Sequence, residues 1–158
     1  KFKPTWIEEP LRWEDDRRTL KLLSKQTDIP ISGGESEITT YGCRSMIEEN
    51  AIQILQFDCT MFGGFTNGKK LSALCELNHI DIAPHHDCYI HAPLVASSPS
   101  GRIVESFDNE RDPLQAELFE NPHKMENGWI HLNEKPGLGL KISEAALKKF
   151  GKLVYKNK

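Results

Sequence analysis

Five apolar runs punctuate the chain, and each ends on an ionisable side chain: TWI before Glu8, IPISGG before Glu35, IQILQF before Asp58, IDIAP before His85 and GRIV before Glu105. Residues 5–8, 29–32, 51–57, 80–83 and 103–107 are therefore predicted strands. Segment 51–57, interrupted only by Gln53 and Gln56, has the continuous apolar character of a strand covered on both faces. Between these runs the spacing lengthens to helical period. Residues 14–25 carry Leu20, Leu22 and Leu23 among charges, 35–50 carry Ile38, Tyr41, Met46 and Ile47, and 66–78 carry Leu71, Leu74 and Cys75. A short buried helix is expected over 90–97. The strand tips follow one another at 27, 23, 27 and 20 residues, and strands alternating with helices at that period imply a parallel sheet.

After Phe107 the pattern changes. Residues 108–135 are rich in Asn, Asp, Pro and Glu, with turn signals at Asp112-Pro113, Asn121-Pro122 and Asn127-Gly128, and are expected to form a long irregular tail. KPGLG at 135–139 is a further turn, and 143–151 has the capped start and basic end of a closing helix. The division expected is a partial (β/α) barrel over 1–107 with an irregular extension over 108–158, in one domain.

Composition narrows the function classes. With 38% hydrophobic and 27% charged residues the 158-residue chain has ordinary globular make-up, and a net charge of -3 with scattered Lys and Arg argues against nucleic acid as a partner. No apolar run approaches the roughly 18 residues of a membrane span. A cytoplasmic enzyme acting on a small molecule is the expectation. Cys43, Cys59, Cys75 and Cys88 form no C-x-x-C pair, so they are expected to be reduced and mostly buried. The Gly63-Gly64 pair lacks a phosphate-loop pattern and is expected to serve as a turn.

In a barrel of parallel strands chemistry gathers at the carboxyl ends, which is where Glu8, Glu35, Asp58, His85 and Glu105 stand. A closed eight-stranded barrel takes roughly 250 residues, so five strand-helix units form either an open doubly wound sheet or the later part of a barrel. Removal of a proton beside a carboxylate would need a divalent cation and a base of near-neutral pKa, and an imidazole oriented by an aspartate meets the second need. The rival chemistry is a zinc hydrolase using His85, His86 and His91 with Asp58, although those histidines come from one strand end. A non-catalytic fragment that merely folds is the other alternative.

Taken in order, WIEEP, GGESEITTYGCR, LQFDCTMFGG, IAPHH and IVESF resemble the mandelate racemase branch of the enolase superfamily. The GESE-x-T-x-YG segment, the His-rich strand and the PGLG tail are most similar to acid-sugar dehydratases of the rhamnonate dehydratase kind. The resemblance implies the C-terminal part, about strands four to eight, of an α/β fold, a (β/α)7β TIM-like barrel, without its capping domain and first strands. It implies that Glu8 and Glu35 are the second and third ligands of an essential Mg²⁺. Asp58 and His85 become an Asp-His dyad, with His85 preferred over His86 by the family's spacing, and Glu105 helps hold an enolate oxygen. The implied activity is Mg²⁺-dependent dehydration of an aldonate or aldarate to a 2-keto-3-deoxy acid, by a homo-oligomer of the full-length protein. Racemisation or epimerisation of a 2-hydroxy acid is the alternative. The first metal ligand and the acid or base on strand two have no counterpart, so this chain alone is expected to bind Mg²⁺ weakly and to turn over nothing measurable. Glu9 and Glu37 are expected beside the ligands or at the surface, His91 is expected to pack, and His79, His123 and His131 are expected to play no special role.

Overall fold

The computed structural model describes residues 2–155. Cα packing divides the chain into two compact units, Lys1–Glu105 and Ser106–Lys158.

The first unit is built from four strand-helix repeats: β1 (Ile7–Glu8), α1 (Asp16–Ser24), β2 (Ile31–Gly33), α2 (Thr40–Glu48), β3 (Ile54–Leu55), α3 (Gly64–Leu77), β4 (Asp81–Ile82) and α4 (Cys88–Ala96), with a 3-10 turn at Trp13–Asp15 before α1. The strands are all parallel and lie in the order β1-β2-β3-β4, with Ile7 beside Ile31, Ser32 beside Ile54 and Leu55 beside Ile82. That consecutive order decides between the two architectures left open by the sequence. A doubly wound sheet reverses its strand order at a switch point, whereas sequential parallel neighbours are the arrangement of a barrel wall.

Packing agrees. One core cluster holds Leu20 from α1, Cys43, Met46 and Ile47 from α2, Leu71 and Cys75 from α3 and Leu94 from α4, together with Ile31, Leu55 and Ile82 from the strands and Phe57 just after β3. The helices therefore cover one face of the sheet. Each fully buried aliphatic side chain in this cluster contributes about 1.5–3 kcal/mol through lost contact with water. Ser32 and Gln56 are also buried, and Ser32 Oγ and Gln56 Oε1 find no hydrogen-bond partner. Where α3 meets the turn after α4, three buried serines satisfy one another: Ser72 Oγ donates to Ser98 Oγ at 3.0 Å, Ser98 and Ser100 Oγ are 3.0 Å apart, and Ser100 Oγ donates to the Ser72 carbonyl at 3.4 Å.

Local chemistry explains where the elements begin. Thr39 caps α2 by accepting the Gly42 N–H, so the helix starts at Thr40 and Glu35 is left in the preceding loop rather than in the predicted helix. Gly63 and Gly64 take φ of 79° and 66°, a left-handed turn into α3 that a side chain would resist. The strand predicted over 103–107 is corrected. Ile82 pairs with Gly101 as an isolated parallel bridge, the Arg102 N–H donates to the Ile82 carbonyl, and no regular strand follows. The next rung of that ladder needs an N–H at position 84, which is proline and has none.

The second unit corrects the expected irregular tail. It contains α5 (Pro113–Glu117), an antiparallel hairpin of β5 (Lys124–Glu126) and β6 (Trp129–His131), and α6 (Glu144–Phe150). Asn127 and Gly128 take φ of 53° and 78°, the left-handed pair that closes a two-residue hairpin. Asn121 pins the PGLG turn by donating to the Gly139 carbonyl at 2.8 Å and accepting the Lys141 N–H at 2.7 Å. Ser143 caps α6, as its position predicted.

Candidate active site

Glu8, Glu35, Asp58 and His85 lie at or just beyond the carboxyl ends of β1, β2, β3 and β4, because each apolar run must stop where the backbone leaves the sheet, and Glu105 follows the bridge at Gly101. His85 sits at the centre. Its Nδ1 is 3.5 Å from Asp58 Oδ2, and its Nε2 is 3.8 Å from Glu35 Oε2 and 3.9 Å from Glu105 Oε2. The three carboxylates reach it from the ends of β2 and β3 and from the segment after Arg102. Glu8 and Glu105 line one shallow cavity of about 140 Å³ with Trp6, Gln56, Ala83, Ile103 and Val104. The Trp6 ring lies 5.9 Å from the Arg102 guanidinium, and Arg102 in turn pairs with Asp81.

Asp58 is the most tightly held member. Oδ1 accepts both the Thr60 N–H at 2.8 Å and the Thr60 hydroxyl at 2.7 Å, leaving Oδ2 for His85. Burial would raise its pKa, but the two hydrogen bonds from Thr60 oppose burial and hold the carboxyl below the usual carboxylate range. The Thr60 contacts are the firmer ones, since His91 Nε2 has a second claim on it.

That claim comes from the backbone. His91, on α4 and wholly buried, accepts the Cys59 N–H on Nε2 at 3.1 Å and places Nδ1 2.9 Å from the His86 carbonyl, with Asp58 Oδ1 3.4 Å from Nε2. Burial disfavours a charged ring, while the carboxylate pulls its pKa up. The Cys59 N–H, which needs a bare Nε2, favours the neutral ring. At 3.1 Å against 3.4 Å the N–H bond is the better formed, so His91 stands as the Nδ1–H tautomer donating to the His86 carbonyl. The Phe57 ring meets it edge-on at 6.5 Å.

His86 takes φ of 51°, its ring is 5.7 Å from that of His85, and its Nδ1 is 3.7 Å from Asp87 Oδ1. Its backbone N–H donates to Glu105 Oε2 at 2.9 Å. Glu37 faces Arg17 at 3.8 Å. Thr60 is the residue that the sequence did not mark as part of the site; His91 was expected to pack and was named only as a ligand of the rival zinc site. His91 is the one basic side chain in the helix CYIHAPLVA, which was the available signal; Thr60 gave none.

A metal site can be tested on the donors. Glu8 and Glu35 offer carboxylate oxygens of the kind that Mg²⁺ prefers, so the pair suits that ion in chemistry. Among the described residues no group of three His, Cys, Asp or Glu stands close enough to form a cage. All four cysteines are buried and outside any disulfide, and burial pushes the Cys43 and Cys75 thiols up to about 12.

Comparison with known proteins follows the same lines. A family model described as enolase C-terminal domain-like matches residues 1–146. A D-galactonate dehydratase family member of Oceanicola granulosus is 33% identical over 147 residues, which are 89% of this chain and 36% of that protein. A D-galactarolactone cycloisomerase of Agrobacterium fabrum is 30% identical over 162 residues, covering 94% of this chain and 42% of that protein. Among solved structures, an L-talarate dehydratase from a Polaromonas species, complexed with Mg and L-glucarate, superposes with a TM-score of 0.80 at 30% identity, over 91% of this chain and 38% of that one. The chain thus spans between about a third and two fifths of the length of the proteins it matches. Among the described residues no helix is long and apolar enough to cross a membrane.

Proposed function

Because the chain belongs to the enolase C-terminal domain-like family, we propose that it forms the His-bearing wall of an acid-sugar dehydratase, working together with barrel strands that this chain does not contain. The observation that carries this proposal is the convergence of Glu35, Asp58 and Glu105 on one imidazole within 3.5–3.9 Å. The dehydratases among its relatives support the reaction type.

Asp58 accepts from His85 Nδ1–H and so leaves Nε2 bare and aimed toward Glu35 and Glu105. Catalytic hydrogen bonds are often long before substrate binds, and the 3.5 Å separation closes by a small ring movement. Nε2 removes the proton from the carbon next to the substrate carboxylate. The resulting imidazolium then gives that proton to the departing β-hydroxyl, which leaves as water; the enol left behind ketonises to a 2-keto-3-deoxy acid. Glu105, anchored by the His86 N–H, is placed to contact the enolate oxygen. A magnesium ion held by Glu8, Glu35 and a ligand from outside this chain would neutralise charge building on the substrate's carboxylate oxygens.

The cycloisomerase among the relatives favours one second reading, an isomerase that shares the first proton abstraction and returns the proton from another group. A panel of aldonic and aldaric acids, assayed in deuterated buffer with the whole protein and Mg²⁺, separates the two. A 2-keto product establishes dehydration, while deuterium at the α-carbon without keto product establishes isomerisation. Substituting His85→Asn should abolish either signal while leaving Mg²⁺ affinity intact; retained turnover removes His85 from its role.

A further inference from the structure

We propose that Thr60 and His91 are positioning residues for His85, acting through Asp58 and through the two backbone segments that carry the pair. The inference rests on the pairing of Asp58 with His85.

Thr60 holds the carboxylate by one oxygen only. Two donors from a single residue, at 2.7 and 2.8 Å, fix the rotation of the Asp58 carboxylate, and Oδ2 then has one direction in which to point, toward His85 Nδ1. Without the hydroxyl, Oδ1 keeps the backbone N–H but loses the contact that resists rotation about the Cβ–Cγ bond. Thr60 is exposed and packs no core, so its loss does not threaten the fold.

His91 works on the backbone. Its ring spans Cys59, immediately after Asp58, and His86, immediately after His85. The two bonds are opposite in sense: Nε2 accepts and Nδ1 donates. One buried, rigid imidazole therefore sets the distance between the residues that follow the two members of the pair. The titratable groups facing it are Asp58 from the end of β3 and Cys59 beside it, and the apolar Phe57 ring closes a third side. Asparagine at position 91 would retain a donor for His86, while its carbonyl, on a shorter side chain, would fall short of the Cys59 N–H; phenylalanine would retain neither bond.

The predicted signature is the tautomer of His85. Long-range ¹H–¹⁵N spectra of the ¹⁵N-histidine-labelled chain, at a pH where His85 is neutral, report which ring nitrogen bears the proton. The expected result is an Nδ1–H ring for His85 in the native chain, loss of that signature in Thr60→Val, and its recovery in Thr60→Ser. His91→Phe should lose it and His91→Asn should show a mixture. If His91→Phe fails to fold, the Val and Ser variants at position 60 still decide the matter. Asp58→Asn is the control. If it shifts the His85 tautomer while Thr60→Val does not, the positioning role is overturned; if Asp58→Asn also leaves the tautomer unchanged, the pairing itself is overturned.

Discussion

Two serines of the first unit should respond in opposite directions to one substitution. Ser32 is fully buried on β2 and its hydroxyl has no partner, so Ser32→Ala removes a group that was taken out of water without compensation. Leaving a buried polar group unpaired costs about 1–3 kcal/mol, and relief of that cost, less the small packing loss, should stabilise the chain by about 1 kcal/mol. Ser98 stands between Ser72 and Ser100. Ser98→Ala leaves the Ser72 hydroxyl without an acceptor while Ser100 keeps its bond to the Ser72 carbonyl, which should cost about 1–3 kcal/mol. The two variants should therefore differ by about 2–4 kcal/mol, or roughly 1–2 M in urea midpoint for a slope of about 2 kcal/mol/M. Urea titration followed by circular dichroism, with slopes compared to confirm that only the midpoint moves, reads this directly. The reasoning fails if Ser32→Ala lowers the midpoint as much as Ser98→Ala, or if Ser98→Ala is neutral.

Three further outcomes follow from the same structure. The Asp58 pKa lies below its ordinary 3.8, so its stabilising contribution is complete above about pH 5 and is lost as pH falls through that range toward the folded value; the midpoint of the native chain should fall more steeply between about pH 4 and pH 2 than that of Asp58→Asn, and parallel curves would contradict this. Gly101→Ala should destabilise by more than about 3 kcal/mol, because a Cβ there would sit 2.0 Å from the Val95 carbonyl oxygen, a backbone atom that cannot swing aside; a midpoint within about 0.5 M of native would show the turn to be freer than drawn. Native Cys43 and Cys75, buried and raised to about 12, should resist iodoacetamide at pH 8 and react only after denaturation, as mass spectrometry of the labelled chain can show.

The strand tips were legible in the sequence because an apolar run that ends on a carboxylate or imidazole records two facts at once, burial along the strand and a change to polar surroundings where the backbone leaves the sheet. Glu35, Asp58, His85 and Glu105 were brought to one place on that basis, and Glu8 to the adjoining cavity. The failures have equally local causes. Helical spacing of Ile38 and Tyr41 suggested an early start for α2, but both are exposed and the Thr39 cap decides where the helix begins. Segment 103–107 has the composition of a strand, yet pairing depends on its neighbour, and Pro84 denies it a rung. His91 looked like a packing residue because periodicity reports which face of α4 is buried, not that this face rests on Asp58 beyond the end of β3. The hairpin of the second unit was visible only at its Asn127-Gly128 turn, since its strands are mostly exposed and lack apolar alternation.

The bond from the His86 amide to Glu105 has a consequence for how this site can change. An amide N–H is supplied by every residue except proline, so the anchor of Glu105 is indifferent to which side chain occupies position 86. The left-handed backbone there, with φ of 51°, filters the choice instead, favouring glycine, asparagine and aspartate and opposing branched residues. Position 86 is thus a place where the rim can be recoloured, from imidazole to amide to carboxylate, with the acid beside it undisturbed. A saturation library at that codon, sorted for folded protein, should keep glycine, asparagine and aspartate and lose proline, valine and isoleucine.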